Sequence, residues 1–194
     1  FNPEQESDLI SWIWATTYGE YFAGMSGDRV EKARKDLENG LASGNWQITQ
    51  FDPFEVRALS RKFDFRAVRA KAFALRMADI TDSNASNSGK RLLKEYGREC
   101  LVQLLPRTDS QKVLYSSYAN RFMIDPRQGN SVRNQLLEGS LGEELMQNLL
   151  LDEEMVQALN SENHSHFIDL RLEKIASVEK AFYKPHLEAV GLEV

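Results

Sequence analysis

The chain has 194 residues, of which 42% are hydrophobic and 27% charged, with a formal net charge of −5 at pH 7. Such a composition supports a real core in one large domain or two small ones, and its mild acidity weighs against a dedicated nucleic-acid coat but not against a local basic patch. No run approaches the roughly 18 apolar residues of a membrane span, no signal peptide is visible, and a lone cysteine, Cys100, excludes an internal disulfide or a thiolate metal cluster.

A reducing cytoplasm is the expected setting. A start at Phe1 rather than Met reads as a piece of a longer protein. Asn2-Pro3-Glu4-Gln5 predicts a helix start with a capping box. Ile10, Ile13, Trp14, Thr17, Tyr18 and Tyr21 then give it an apolar face, and Gly24 to Gly27 should stop it. A second helix follows with Val30, Ala33, Leu37 and Leu41 inward and Gly40 and Gly44 near its end.

After a connector with an extended piece at Trp46 to Ile48, helices are expected from about Pro53 to Phe63 and through Val68, Ala72, Leu75 and Ala78. Thr81 to Gly89, rich in Ser, Asn and Asp, predicts a loop and a boundary between two lobes. Cys100 to Leu105, ended by Pro106, and Tyr118 to Ile124 are candidate strands. A turn at Asp125 to Gly129 leads to a helix capped by Asn130 or Ser131. Three more helices are expected over Gly142–Leu150, Asp152–Leu159 and about Ser165–Tyr183, the last ended by Pro185.

No catalytic or metal-binding constellation is complete. The three histidines are His164, His166 and His186. His164-x-His166 would chelate only in extended geometry, because i and i+2 point to different helix faces, and His186 has no evident partner. Ser140 lacks the nucleophile-elbow spacing. Cys100 sits in an apolar run with no local base. The charge is uneven. Arg57, Arg61, Lys62, Arg66, Arg69, Lys71 and Arg76 stand close together with only Asp64 among them, whereas Glu138 to Glu162 contains no Lys or Arg. A basic strip of that kind suits a phosphate backbone.

Two runs, Ser11-Trp12-Ile13-Trp14-Ala15-Thr16-Thr17-Tyr18-Gly19-Glu20-Tyr21-Phe22 and Phe63-Asp64-Phe65-Arg66-Ala67-Val68-Arg69-Ala70-Lys71, resemble helices in the C-terminal half of GmrSD-type restriction proteins. Those proteins join a ParB-like nucleotide-dependent domain to a helical region and an HNH-type nuclease, and they act in bacterial defence against foreign or modified DNA. Val102-Gln103-Leu104-Leu105-Pro106 stands where the family has an acidic residue, His, Ile, Phe and Pro. Asn120 and Asn130 take the places of its two Asn, and Phe167, Arg171, Ile175 and Phe182 match its closing helix.

The resemblance implies a mainly α chain: a helical lobe over 1–80, then a degenerate ββα (HNH-like) lobe with C-terminal helices over 90–194. It also implies a lost reaction. Gln103 replaces the base that would deprotonate water, and Val102 replaces the acidic ligand. The expectation is a non-catalytic module without metal or cofactor. It would bind DNA through the Arg57 to Arg76 strip, or a protein subunit, or the N-terminal domain of the parent chain, and it would not enter a membrane. Two alternatives stand beside it. One is an active metal-dependent nuclease using His164, His166 and Asp125. The other is a structural interaction domain whose Trp12/Trp14 helix meets protein.

Overall fold

A computed structural model describes residues 2–24, 26–44, 46, 48, 56, 58, 59, 62–84, 89–105 and 115–192. The chain is mainly α-helical, with one small two-stranded antiparallel sheet set among helices. Among the described residues the helices are α1 Pro3–Tyr18, α2 Gly27–Ser43, α3 Val68–Asn84, α4 Gly89–Tyr96, α5 Gly129–Leu137, α6 Glu143–Asn148, α7 Glu153–Asn160 and α8 His164–Ala189. The strands are β1 Leu101–Val102 and β2 Phe122–Met123, with Leu101 opposite Met123 and Val102 opposite Phe122. Two compact units result: Phe1–Ala58 with Val178–Val194, and Leu59–Ser177. This division differs from a boundary between 80 and 90. Helix α8 contributes its two ends to different units.

In the first unit, α1 begins as its sequence dictates. The Asn2 side chain accepts from Gln5 N, and the Gln5 side chain accepts from Asn2 N, so two free N–H groups are satisfied. The helix ends at Tyr18, before the glycines expected to stop it, and Gly19 caps it. Its apolar residues surround the axis, so periodicity alone does not choose the buried face. Aromatic partners choose it. Tyr18 packs on Tyr183 at 4.7 Å and Trp14 meets Phe182 edge-on at 4.9 Å. Trp12, Ala15 and Tyr18 are therefore buried, while Ile10 and Ile13 are exposed. The inner face of α2 is likewise Ala33, Asp36 and Gly40, with Val30 and Leu41 outside. Gly40 has to be glycine, since a Cβ there would stand 2.5 Å from Trp46 Cε3. Trp46, Ile48, Leu187 and Val190 complete this core.

Pro185 does not end α8, which continues to Ala189. Proline removes one intrahelical hydrogen bond, but Leu187 and Val190 are buried just beyond it and hold the last turn. The helix expected over Pro53 to Phe63 falls largely outside the described residues; Val56, Ala58, Leu59, Lys62 and Phe63 are not helical. Gln47, in the expected extended piece, is also outside them, and neither Trp46 nor Ile48 lies in a strand.

In the second unit, α3 runs through Thr81 to Asn84, where a loop was expected. Thr81 fits because its hydroxyl donates to Met77 O within the helix. At the start of α4, a Cβ on Gly89 would lie 2.5 Å from Ala78 O, so α4 approaches the α3 backbone as only glycine allows. The expected strand over Cys100 to Leu105 forms ladder bonds only at Leu101 and Val102. Cys100 closes a 3-10 turn, Gly97–Cys100, and the amides of Leu104 and Leu105 are taken by a side chain instead. Helix α5 starts at Gly129 with Gln128 at its N-cap, so neither Asn130 nor Ser131 caps it. Leu104, Phe122, Leu136, Leu149, Met155, Phe167 and Ile168 form the core of this unit. Each such side chain contributes about 1.5–3 kcal/mol on burial.

Candidate functional site

The four positions singled out by the resemblance lie on or beside β1, β2 and α5. Asn120 is fully buried. Its Oδ1 accepts from Leu104 N at 3.1 Å and Leu105 N at 2.9 Å, and its Nδ2 donates to Tyr115 O at 3.0 Å. Gln103 Nε2 donates to the same Tyr115 carbonyl at 2.6 Å. Val102 is half-buried and packs on the core. Asn130 is exposed in the first turn of α5. Gln103 and Asn120 thus meet on one backbone carbonyl. Arg133 reinforces the segment by donating to Leu104 O at 2.6 Å and Gln103 O at 3.0 Å.

Behind this element lies Arg171, fully buried on α8. It donates to Leu149 O from Nε at 3.1 Å and Nη2 at 3.0 Å, to Arg121 O at 3.0 Å, and from Nη1 to Ala119 O. Burial pulls its pKa down to about 9, which leaves it charged at neutral pH. The sequence matched Arg171 to a closing helix but gave no sign that its guanidinium would gather three chain segments.

The basic strip does not form one face. Arg57 and Arg61 lie outside the described residues. Lys62, Arg66 and Lys71 are exposed, with Arg66 held by Asp64 at 2.8 Å, and this pairing keeps the Asp64 carboxyl down at about 2. Arg69, however, is 5% exposed. Arg76 is turned to Asp79 at 3.1 Å. A helical repeat explains the split: Val68, Lys71 and Leu75 share the outer side of α3, and Arg69 lies among Ala70, Ala72 and Phe73 on the buried side. Exposed cations the sequence reading passed over stand on α4 and just beyond it: Lys90, Arg91, Lys94 and Arg98.

The histidines divide as well. His166 Nε2 lies 3.7 Å from Glu154 Oε1, and Asp125 is taken up by Arg127 at 2.5 Å. Among the described residues no three His, Cys, Asp or Glu are grouped closely enough to hold a metal ion. His186, read as partnerless, lies 3.0 Å from Ser11 Oγ through Nδ1 and stacks on Trp14. Cys100 is fully buried, its thiol donates to Gly97 O at 3.0 Å, and burial raises its pKa to about 11.

Sequence reasoning missed a cleft of 430 Å³ in the second unit, lined by α3, α4, β2, α5 and α6. Leu92, Met123, Ile124 and Leu145 give it apolar walls. Asp125, Arg91 and Glu144 bring charge to it, and Asn148 lines it as well. Asn148 is 7% exposed, and its buried Oδ1 accepts no hydrogen bond among the described residues. An unsatisfied buried acceptor of this kind costs about 1–3 kcal/mol. No signal in the sequence brings these segments together, because they are far apart along the chain.

No protein-family model, curated protein or solved structure matches this chain. Among the described residues no helix is long and apolar enough to cross a membrane.

Proposed function

We propose that this chain is a non-catalytic module of a GmrSD-like bacterial defence protein, and that it holds DNA without cutting it. The observation that carries the reading is the fate of Gln103 and Asn120. Both side chains are spent on the Tyr115 carbonyl and neighbouring backbone, so the ββα element is stapled shut by the residues that stand where a nuclease would keep reactive groups. Family membership rests on the residue resemblance alone. The DNA reading is supported by Lys62, Arg66 and Lys71 at the start of α3 and by the exposed cations on and beside α4. Cations in water near a duplex gain affinity by releasing counterions.

Fluorescence anisotropy with a labelled duplex tests the reading. Affinity should fall steeply as salt rises, and Arg66→Glu with Lys71→Glu should weaken it further. Undetectable or salt-insensitive binding would sink it. Plasmid incubated with Mn²⁺ or Mg²⁺ tests the nuclease alternative; cleavage that disappears in His166→Ala would replace the proposal.

A protein-interaction reading has its own support. Ile10 and Ile13 of α1, Phe22, and Val30 and Leu41 of α2 are large apolar side chains exposed in the first unit. Trp12, at 6% exposure, is core rather than contact surface. Ile10→Asp with Ile13→Asp would abolish capture of a parent N-terminal domain if this face binds it.

A further inference from the structure

The cleft in the second unit has no part in the reading above, and its lining narrows what it can hold. At 430 Å³ it is within the ~300–1,000 Å³ span of small-molecule pockets. Its lining carries both signs: Arg91 stands among the lining residues with the carboxylates of Asp125 and Glu144, and Asp125 is already held by Arg127. An anion would meet two carboxylates, and a cation would meet Arg91. A purely apolar ligand would leave the buried Asn148 Oδ1 unsatisfied. What remains is a neutral ligand with a polar edge and apolar faces. Met123 adds a polarisable thioether to the wall, a good neighbour for an aromatic ring. A carboxamide matches the adjacent donor and acceptor on the edge of a nucleobase.

We propose that this cleft binds a nucleobase, with the Asn148 amide reading its hydrogen-bonding edge and Leu92, Met123 and Leu145 covering its faces. The base could belong to a free nucleoside or be presented by a single strand. The shared chemistry is the same, and the cleft stands independently of the cationic surface, because a free nucleoside carries no phosphate.

NMR of the whole chain decides it. Adenosine, guanosine, cytidine and thymidine are titrated in turn, and then a mixed-sequence single-stranded hexanucleotide. The expected result is a saturable shift of the Met123 methyl and of the Asn148 side-chain amide with at least one probe. Shifts with free nucleosides assign a soluble ligand; shifts with the hexanucleotide alone assign a base carried on a strand. Asn148→Leu should weaken binding about tenfold or more, because it removes the polar edge. Asn148 is buried, so a second variant guards against a folding defect. Gly142→Phe adds a ring at the rim, where a Cβ meets nothing within 4 Å and the backbone is ordinarily extended. It should block binding without unfolding the chain. No saturable shift with any probe at millimolar concentration, or binding that survives both variants, overturns the proposal.

Discussion

The guanidinium carbon of Arg171 lies 3.8 Å from the centre of the Phe122 ring, and the same group donates to the carbonyls of Ala119, Arg121 and Leu149. A planar cation on an aromatic face, with its N–H groups aimed at three carbonyls, uses all the geometry that distinguishes Arg from Lys. Arg171→Leu removes every one of those donors, and a loss of about 3–5 kcal/mol is expected, a large share of a domain's total stability. Arg171→Lys should recover less than half of that. Urea unfolding followed by circular dichroism checks it, and a Lys variant as stable as the parent would refute the keystone role.

Asn120 is tested in the same way but for a different reason. Asn120→Ala leaves the Leu104 and Leu105 amides without their acceptor in a fully buried setting, at a cost of about 2–4 kcal/mol. Asn120→Asp keeps the acceptor but loses the bond to Tyr115 O and buries a charge, so it should be no better. Were Asn120 a vestige without structural weight, both variants would unfold at the parent's urea midpoint.

Two glycines report on close packing in separate units. Gly89→Ala would press a Cβ onto the Ala78 carbonyl, and Gly40→Ala would press one onto the Trp46 ring. Overpacking of this sort costs about 1–3 kcal/mol. Gly89→Ala should be the worse of the two, because a backbone atom cannot swing aside. In Gly40→Ala the indole must move, so a shift in tryptophan emission should accompany the loss.

Cys100 predicts an alkaline effect. Its folded thiol titrates near 11 rather than at the ordinary 9.0, so above pH 9 the unfolded chain releases a proton that the folded chain keeps. The group's contribution to stability is complete below pH 9 and is lost as pH rises toward 11, on the order of 3 kcal/mol in all. Arg171 acts in the opposite sense, since burial holds its folded pKa near 9, well below that of an unfolded arginine, and this favours folding as pH rises. The difference between the parent and Cys100→Ala isolates the thiol. Its stability gap should narrow between pH 9 and 11, and a gap that stays constant would contradict the assignment. Native Cys100 should also resist thiol reagents at pH 8.

Charge reversal separates surface from core on α3. Arg66 is 91% exposed at its side chain, and its pair with Asp64 is screened by water, so Arg66→Glu should leave the melting temperature nearly unchanged while reducing DNA affinity. Arg69→Glu should unfold the second unit, because the side chain lies in the core. A DNA-binding loss measured at Arg69 would therefore say nothing about a contact.

Local signals were legible in the sequence where the chemistry is local. The Asn2 capping box and Gly44 closing α2 with φ 73° both depend on neighbours a few residues away. The faces of α1 and α3 were not legible. Apolar residues nearly encircle α1, and on α3 the charge of Arg69 pointed to a solvent face although the helical repeat sets it beside the buried Ala72 and Phe73. The same holds for the candidate site. The apolar runs at Cys100 to Leu105 and Tyr118 to Ile124 marked the two strands, and Val102, Gln103, Asn120 and Asn130 were singled out by the resemblance alone; the Tyr115 carbonyl that Gln103 and Asn120 share was not legible. The cleft at Asn148 was invisible for the same reason: five separate elements build it.

The two-unit membership of α8 has a bearing on how the chain is made. Residues 1–58 leave the ribosome before residues 59–177, yet Leu187 and Val190, which complete their core, emerge only after the whole of 59–177 has been synthesised. The second unit can close while translation proceeds, whereas the first must wait with Trp12 and Trp46 uncovered. That delay is a long-range closure of the kind that slows folding, and it leaves an aromatic surface for a chaperone to hold until the final turns of α8 arrive.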